Sequence, residues 1–142
     1  MNPNYIHTLT LYNCLKAVHN PFKKDIWQKR ILHNCFYKAV TAHTENNAQA
    51  GVSNTYIVRI PESEFYLPYR EWSKLQDEDR KCFFTLSIGD IVIYGECEEE
   101  INSDPGQTAV QLMNRYKPDA FKITAVADNT RYLYAKHYRA GG

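Results

Sequence analysis

Apolar and polar residues alternate with a period of two along much of the chain, which is the pattern of half-buried β-strands. The stretch around which the chain is organised is residues 83–100, where two β-prone runs meet at Gly89 and Asp90. Glycine readily adopts the positive φ of a tight turn, and branched and aromatic neighbours suit a pleated surface. We therefore predict a central β-hairpin in this stretch.

The same alternation predicts five further strands. The segment 31–40 also fits a helical stripe, but its pair Phe36-Tyr37 suits a sheet, and no cap residue precedes it. Pro61 ends another of these strands because proline gives no donor to a ladder. The predicted strands are residues 5–12, 31–40, 55–60, 120–127 and 132–139.

Two short helices complete the predicted elements. The first begins at Pro68 within residues 67–75, and the second follows the cap residues of segment 102–106. We therefore expect a mainly β fold, an antiparallel β-barrel or sandwich with one or two short helices. The apolar residues of the two helices are Tyr69, Trp72 and Leu75, then Val110, Leu112 and Met113.

Two segments interrupt this pattern. Residues 13–24 carry turn and solvent signals and predict a loop that leaves the core. Residues 41–54 are small and polar without periodicity, and they predict a long mobile loop. Connections longer than about 12 residues are uncommon in compact domains and are often functional. Disorder without a role is the alternative for this loop.

Composition indicates one domain spanning residues 1–142. The chain is 44% apolar and 13% aromatic, which suffices for a core. Its 17 Lys and Arg against 16 Asp and Glu leave a formal charge of +1, so no overall field draws the protein to nucleic acid or a membrane. No stretch approaches the roughly 18 apolar residues of a membrane span, and no signal-peptide pattern opens the chain. We expect a protein of a cytosol-like compartment.

Candidate chemistry is sparse. The four cysteines and five histidines are scattered without ligand spacing, so we predict neither a metal nor a cofactor. The acidic residues Glu96 and 98–100 could supply catalytic or metal-binding carboxylates, but such groups need a pocket that shifts their pKa, and the neighbouring sequence indicates none. We interpret them as a solvated strand end. A phosphate loop, a nucleophile elbow and a His-Glu-x-x-His helix are all missing from the sequence. The sequence predicts no catalytic residues and a protein that is not an enzyme.

The predicted last strand interleaves aromatic and cationic side chains, as surfaces that stack single-stranded nucleic acid do. Ordinary amphipathic alternation explains the same pattern, and the near-zero net charge disfavours such binding. Nucleic-acid binding is therefore an alternative function. Its candidate contacts are Tyr132, Tyr134, Lys136, Tyr138 and Arg139.

Short motifs spread over most of the chain carry a family resemblance through their order and spacing. The motifs occupy residues 10–13, 27–36, 57–61, 67–72, 84–86, 89–92, Gly95, 123–129 and His137. In that order and spacing the chain resembles the small head-completion proteins, or head–tail connectors, of tailed phages of Gram-positive bacteria, which are minor capsid or neck proteins.

This resemblance implies a small β-barrel subunit of the virion, assembled in the host cytoplasm. Such subunits form a homo-oligomeric ring below the portal, complete the head and contact tail proteins. A long loop can project into the channel and help to retain double-stranded DNA. Here that loop is residues 41–54, whose lack of Lys and Arg suits a passage that must not hold phosphates tightly. The candidate channel residues are Thr44, Asn46, Asn47 and Gln49.

Two segments make the chain longer than a minimal head-closure barrel, namely residues 76–81 and 102–117. This departure keeps a tail terminator or another minor virion protein as an alternative. A phage anti-defence protein is a further alternative.

Overall fold

The computed structural model describes residues 4–46, 49–102, 104–131, 133–134 and 136–142, with the backbone alone at 42–46 and 49–53. Within these ranges the chain forms seven strands and three α-helices, so the predicted mainly antiparallel β fold with short helices is confirmed. The elements are β1 His7–Leu15, a 3-10 turn Ala17–His19, β2 Ile26–Asn46, β3 Gln49–Pro61, α1 Tyr69–Trp72, α2 Asp77–Arg80, β4 Ile91–Tyr94, α3 Ala109–Tyr116, β5 Ala120–Lys122, β6 Ala125–Asp128 and β7 His137–Gly141.

The strands form one curled sheet in the order β5-β4-β1-β2-β3-β7-β6, with antiparallel neighbours throughout. Only Ile123 and Thr124 separate the two edge strands along the chain. The Ile123 amide donates to the Asp90 carbonyl beside β4, and the Thr124 amide donates to the Gly141 carbonyl in β7, both at 2.8 Å. The two ends of the sheet therefore approach each other at this point, which makes the fold barrel-like.

A large buried cluster fills the concave side of the sheet. It draws side chains from β1–β5 and β7, so most of the sheet contributes one face to it. Its members are Leu9, Leu11, Leu32, Cys35, Tyr56, Val58, Ile60, Phe84, Leu86, Val92, Phe121, Ile123, Tyr138 and Ala140.

A smaller cluster lies on the opposite face, beneath α3. Because side chains alternate along a strand, Val92 joins the concave cluster while Ile91 and Ile93 join this one. Leu112 of α3 covers them and is fully buried. Strand β4 is thus buried on both faces, and each fully buried isoleucine contributes roughly 1.5–3 kcal/mol relative to an exposed one.

The predicted central hairpin at residues 83–100 is wrong. Gly89 does turn the chain with φ +100°, but in this stretch only β4 is a strand, and its partners are β1 and β5. Side chains bind the backbone of the preceding segment instead: Asn13 Oδ1 accepts from the Thr85 amide at 3.2 Å, and Asp90 Oδ2 accepts from the Ser87 amide at 3.0 Å. These bonds replace the ladder that the hairpin would have supplied.

The predicted loop at residues 41–54 is also wrong, because the described residues of this segment, 41–46 and 49–54, belong to β2 and β3 and pair with each other. The register runs from Thr41 opposite Asn54 to Asn46 opposite Gln49. An antiparallel ladder satisfies the backbone whatever the side chains are, and a ribbon solvated on both faces needs no alternation of polar and apolar residues. The missing period-two pattern therefore did not exclude a strand.

Several predicted boundaries shift as well. Strand β1 continues to Leu15, so the expected outward loop at 13–24 begins three residues later than predicted. The expected strand 120–127 is divided into β5 and β6, and the last strand begins only at His137. The charged segment 76–81 contains helix α2.

Candidate functional site

The most unusual feature of the fold is a two-stranded arm, residues 40–55, formed by the ends of β2 and β3. Strand β1 pairs with β2 no further than Cys35, and β7 pairs with β3 no further than Ile57. Within the described chain, the arm therefore has no neighbouring strand on either edge. At about 3.4 Å per residue, its seven paired positions per strand extend roughly 20 Å beyond the body.

The described side chains of the arm are solvated on both faces. Val40, Thr41, Asn54 and Thr55 are all exposed. The Thr41 hydroxyl donates to the Asn54 side-chain oxygen across the ribbon at 2.8 Å. The arm thus lacks an apolar face at its described side chains, and its backbone ladder is its main internal contact.

Aromatic rings attach the base of the arm to the body. The Tyr37 and Tyr94 rings lie 4.7 Å apart, and the Tyr56 ring stacks on Phe121 at 4.8 Å and 5°. The Tyr56 hydroxyl also donates to the Pro118 carbonyl at 2.9 Å. Ring pairs at these distances contribute beyond their buried area, so they set the angle at which the arm leaves the body.

The predicted channel residues lie at the far end of this arm. Thr44 is opposite Gly51 in the ladder, and Asn46 is opposite Gln49. Asn47 lies outside the described residues. The structure therefore places the described candidates together, on strands rather than on the predicted loop.

The described residues of the predicted nucleic-acid face do not share one exposed surface. Tyr138 is buried in the concave cluster, where its ring stacks on Tyr66 at 3.9 Å. Tyr134 is 86% exposed but precedes β7 instead of belonging to it. The other described candidates, Lys136 and Arg139, are exposed, and Tyr132 lies outside the described residues.

A surface cavity of about 420 Å³ lies between α3, the 3-10 turn and the Gly89 turn. This volume suits a small molecule. Asp25 at the cavity accepts a hydrogen bond from the Ala17 amide at 3.0 Å. Burial raises the pKa of the Cys14 thiol in the wall to about 12, so the thiol is neutral near pH 7 and a poor nucleophile. The side chains of the wall include Cys14, Lys16, Asp25, Trp27, Ile88, Val110, Met113 and Lys122.

A buried polar network supports the wall of this cavity. Asp90 accepts hydrogen bonds from Asn13 Nδ2 at 2.9 Å, the Cys14 amide at 3.1 Å and the Ser87 amide at 3.0 Å. Asn13 Nδ2 also donates to the Thr85 carbonyl at 2.6 Å. Burial raises the pKa of Asp90 to about 6, and the three donors oppose that rise. The network therefore holds the Gly89 turn against β1.

Sequence reasoning missed this network, because it assigned Asn13 to a solvated loop and Asp90 to a turn. One signal was available: Asn13 is the single polar side chain within the apolar run from Leu11 to Leu15. A polar residue at such a site is buried with its partners or is not buried at all.

The acidic run 96–100 has a structural role where its contacts are described. Glu99 accepts hydrogen bonds from Arg115 and Tyr116 of α3. Glu100 forms an ion pair with Lys29 at 3.3 Å. These contacts attach the segment after β4 to the helix and to β2.

The part of the chain that the structure describes holds no group of three or more His, Cys, Asp or Glu side chains suited to a metal ion. Of the helices in the described ranges, none is long and apolar enough to cross a membrane.

The model of a family of unknown function, DUF6751, matches residues 5–142. The chain belongs to this family. The DUF6751 match includes every strand of the body and the whole arm. No curated protein and no solved structure matches the chain.

Proposed function

We propose that this DUF6751 protein is a structural subunit that assembles with copies of itself into a ring, and that the arm is its assembling element. The observation that carries the proposal is an arm with an open edge on each side, extending from a folded body. A two-stranded ribbon is marginally stable alone in water. An ordered arm of this kind gains stability where another chain covers its edges.

We place this ring in the neck of a tailed-phage virion, as the resemblance to head-completion proteins implies. The ring would lie between portal and tail proteins, with double-stranded DNA passing through it. Residues 41–54, which make up all of the arm but its first and last residues, carry one Glu and one His but no Lys or Arg. Such a surface can border a DNA channel without holding phosphates tightly.

The proposed role is assembly rather than catalysis. The neutral Cys14 thiol at the cavity beneath α3 and the structural contacts of Glu99 support this choice. Single-strand binding is disfavoured by the burial of Tyr138, which removes one ring from the candidate stacking surface.

Mass spectrometry of purified particles tests the neck assignment. We expect the protein in a constant ring-like ratio to the portal protein, and the gene beside portal, capsid and tail genes. Absence from particles would overturn the assignment. Presence in tails purified without heads would favour a tail terminator instead.

The role of the arm in retaining DNA is tested by shortening it, which removes both the assembling element of the ring and the surface that borders the channel. A variant with residues 42–53 replaced by Asn-Gly keeps the Thr41 and Asn54 pair and closes it with a favoured hairpin turn. Particles with this variant are expected to package DNA and then lose it before the tail joins, as measured by nuclease-sensitive DNA per head. Full retention of DNA would exclude a role of the arm in retention, whether through the ring that it assembles or through the channel that it borders.

A further inference from the structure

Both edges of the arm carry unpaired backbone groups. In an antiparallel ribbon, every second residue of each strand directs its N–H and C=O away from its partner. No other strand of the described chain covers these groups in residues 40–46 or 49–55. Val40 is the one large apolar side chain among the four exposed ones described at the base, so the main chain is the chief contact that the described part of the arm offers a partner.

One strand of the body has a matching open edge. Strand β6 pairs only with β7 among the strands described, and all four of its side chains are exposed. Natural proteins protect such edges with proline, lysine or a bulge. Here the exposed edge carries Ala125, Val126 and Ala127, and its register is regular. A groove of about 390 Å³ runs over the sheet from these residues, across the end of β7, to residues 55–57 of β3.

The other edge of the sheet is covered. Gly142 packs so closely on β5 that a Cβ at this position would lie 2.3 Å from the Lys122 carbonyl oxygen. A strand approaching β5 would meet this segment. Strand β6 is therefore the accessible edge of the body.

The ladder also shows which groups of β6 are available. The Asn129 amide donates to the His137 carbonyl at 2.9 Å. Counting back in steps of two residues, Ala127 and Ala125 point their N–H groups toward β7. Val126 and Asp128 consequently present N–H and C=O groups outward.

We propose that the arm of one copy adds as a strand to the outer edge of β6 in the next copy, through main-chain hydrogen bonds. This inference rests on the proposed ring and names its contact. Strand addition of this kind takes its affinity from the backbone, which suits an arm whose described side chains form no apolar face. Because arm and edge are different surfaces, the contact is head-to-tail, and such contacts close into rings when the rotation allows.

The proposal is tested by removing one outward donor. Val126→Pro deletes the N–H that faces away from β7 and leaves the β6–β7 ladder intact. Val126→Thr is the matched control, since it keeps the N–H and a β-branched side chain. In analytical ultracentrifugation we expect the parent and Val126→Thr to assemble and Val126→Pro to stay monomeric, with assembly weakened at least tenfold.

Mixing two defective variants tests the direction of the contact. The Val126→Pro chain keeps its arm, and the chain with residues 42–53 replaced by Asn-Gly keeps its edge. Each alone is expected to be monomeric, whereas the mixture should give a one-to-one heterodimer and no larger species. Arm-to-arm pairing predicts the opposite, namely that Val126→Pro assembles alone and that the mixture gives no heterodimer.

Hydrogen exchange keeps the test decisive if Val126→Pro folds poorly. In the assembled parent, the Val126 and Asp128 amides should exchange at least tenfold more slowly than in the arm-shortened monomer. Equal exchange, or full assembly of a folded Val126→Pro chain, would overturn the arm-to-edge contact and leave the ring standing. A parent that remains monomeric at roughly millimolar concentration would overturn the contact as well, while mass spectrometry of particles separately decides the proposed function.

Discussion

Strand β4 and the arm are built from the same antiparallel ladder but have opposite surroundings. Both faces of β4 are buried, one in the concave cluster and one beneath α3. The arm is exposed on both faces at its described side chains. Backbone hydrogen bonds contribute only about 0.5–1.5 kcal/mol each in net terms, because water competes for the same groups. The stability of this protein therefore resides in the two clusters, and the arm depends on what binds it.

Two asparagines sharpen the contrast. Asn13 is fully buried, and both polar atoms of its side chain are hydrogen-bonded. Its Nδ2 donates to the Thr85 carbonyl and to the Asp90 carboxylate, and its Oδ1 accepts from the Thr85 amide. Asn54 is exposed and bonds to Thr41 across the arm. The same side chain is thus part of the folded core in one region and replaceable by water in the other.

The largest expected difference between the two regions is the loss of stability when an apolar side chain is replaced by alanine. Ile93→Ala removes a side chain that is 1% exposed and should lower the free energy of unfolding by about 2–5 kcal/mol. Val40→Ala removes a side chain that is 42% exposed and should change the free energy of unfolding by less than about 0.5 kcal/mol. Denaturant titration measures both. Similar losses at the two sites would show that the arm packs on the body.

The second prediction concerns Asp90 and pH. Its folded pKa of about 6 lies above the ordinary 3.8, so the folded chain holds this proton more tightly than the unfolded chain. Its contribution to stability is greatest below about pH 4 and falls by on the order of 2–3 kcal/mol as the pH rises to about 6. Above that range the contribution is constant.

The pH dependence is measured as the difference between the parent and Asp90→Asn. The asparagine does not titrate, so the fall between about pH 4 and pH 6 should disappear, although the variant is less stable because one hydrogen bond loses its acceptor. Carbon chemical shifts of Asp90 give the pKa directly in the parent. A carboxyl that titrates below pH 4 would contradict the prediction.

A smaller effect is expected at the start of α3. The Thr108 hydroxyl accepts a hydrogen bond from the Gln111 backbone amide at 3.3 Å, and the Gln111 side-chain oxygen accepts one from the Thr108 backbone amide at 3.4 Å. The two bonds form a capping box. Thr108→Ala should cost about 1 kcal/mol, whereas Thr108→Ser keeps the hydroxyl and should cost little. Thr41→Ala, which removes a hydroxyl from the arm, is the matched control and should stay within about 0.5 kcal/mol. Thermal unfolding of the three variants compares them.

The smallest expected effect on stability comes from shortening the arm. Replacing residues 42–53 by Asn-Gly removes no described core contact, so the monomer should unfold within about 0.5 kcal/mol of the parent. In the monomeric state, amides of residues 40–46 should exchange orders of magnitude faster than those of β4. Slow exchange in an isolated monomer would mean that the arm is stable alone.

The elements that the sequence predicted well share one property: their signal is local. Pro68 marks the start of α1 and Trp72 its buried face, and Pro61 marks the end of β3. Each follows from dihedral restriction, a missing donor or a short apolar spacing, which depend on neighbouring residues alone.

The elements that the sequence predicted wrongly depend on contacts with residues far away in the chain. Whether residues 83–88 pair with β4 depends on Asn13 and Asp90, which bind this segment from other parts of the chain. Whether residues 41–54 form a loop or a ribbon depends on strand pairing, which a run of small polar residue types does not reveal. The predicted helix start near residues 102–106 lies too early in the chain, because α3 is capped by Thr108.

By itself, then, the sequence determined an antiparallel, mainly β domain with short helices, because period-two alternation and local breakers are properties of adjacent residues. Only the tertiary structure decided that β4 lies between β1 and β5, that Tyr138 faces the core and that β2 and β3 extend as an arm. Strand pairing and burial depend on contacts between residues far apart in the chain, and different pairings of the same strands satisfy the same alternation. The choice among them is made by packing and hydrogen bonding over the whole molecule.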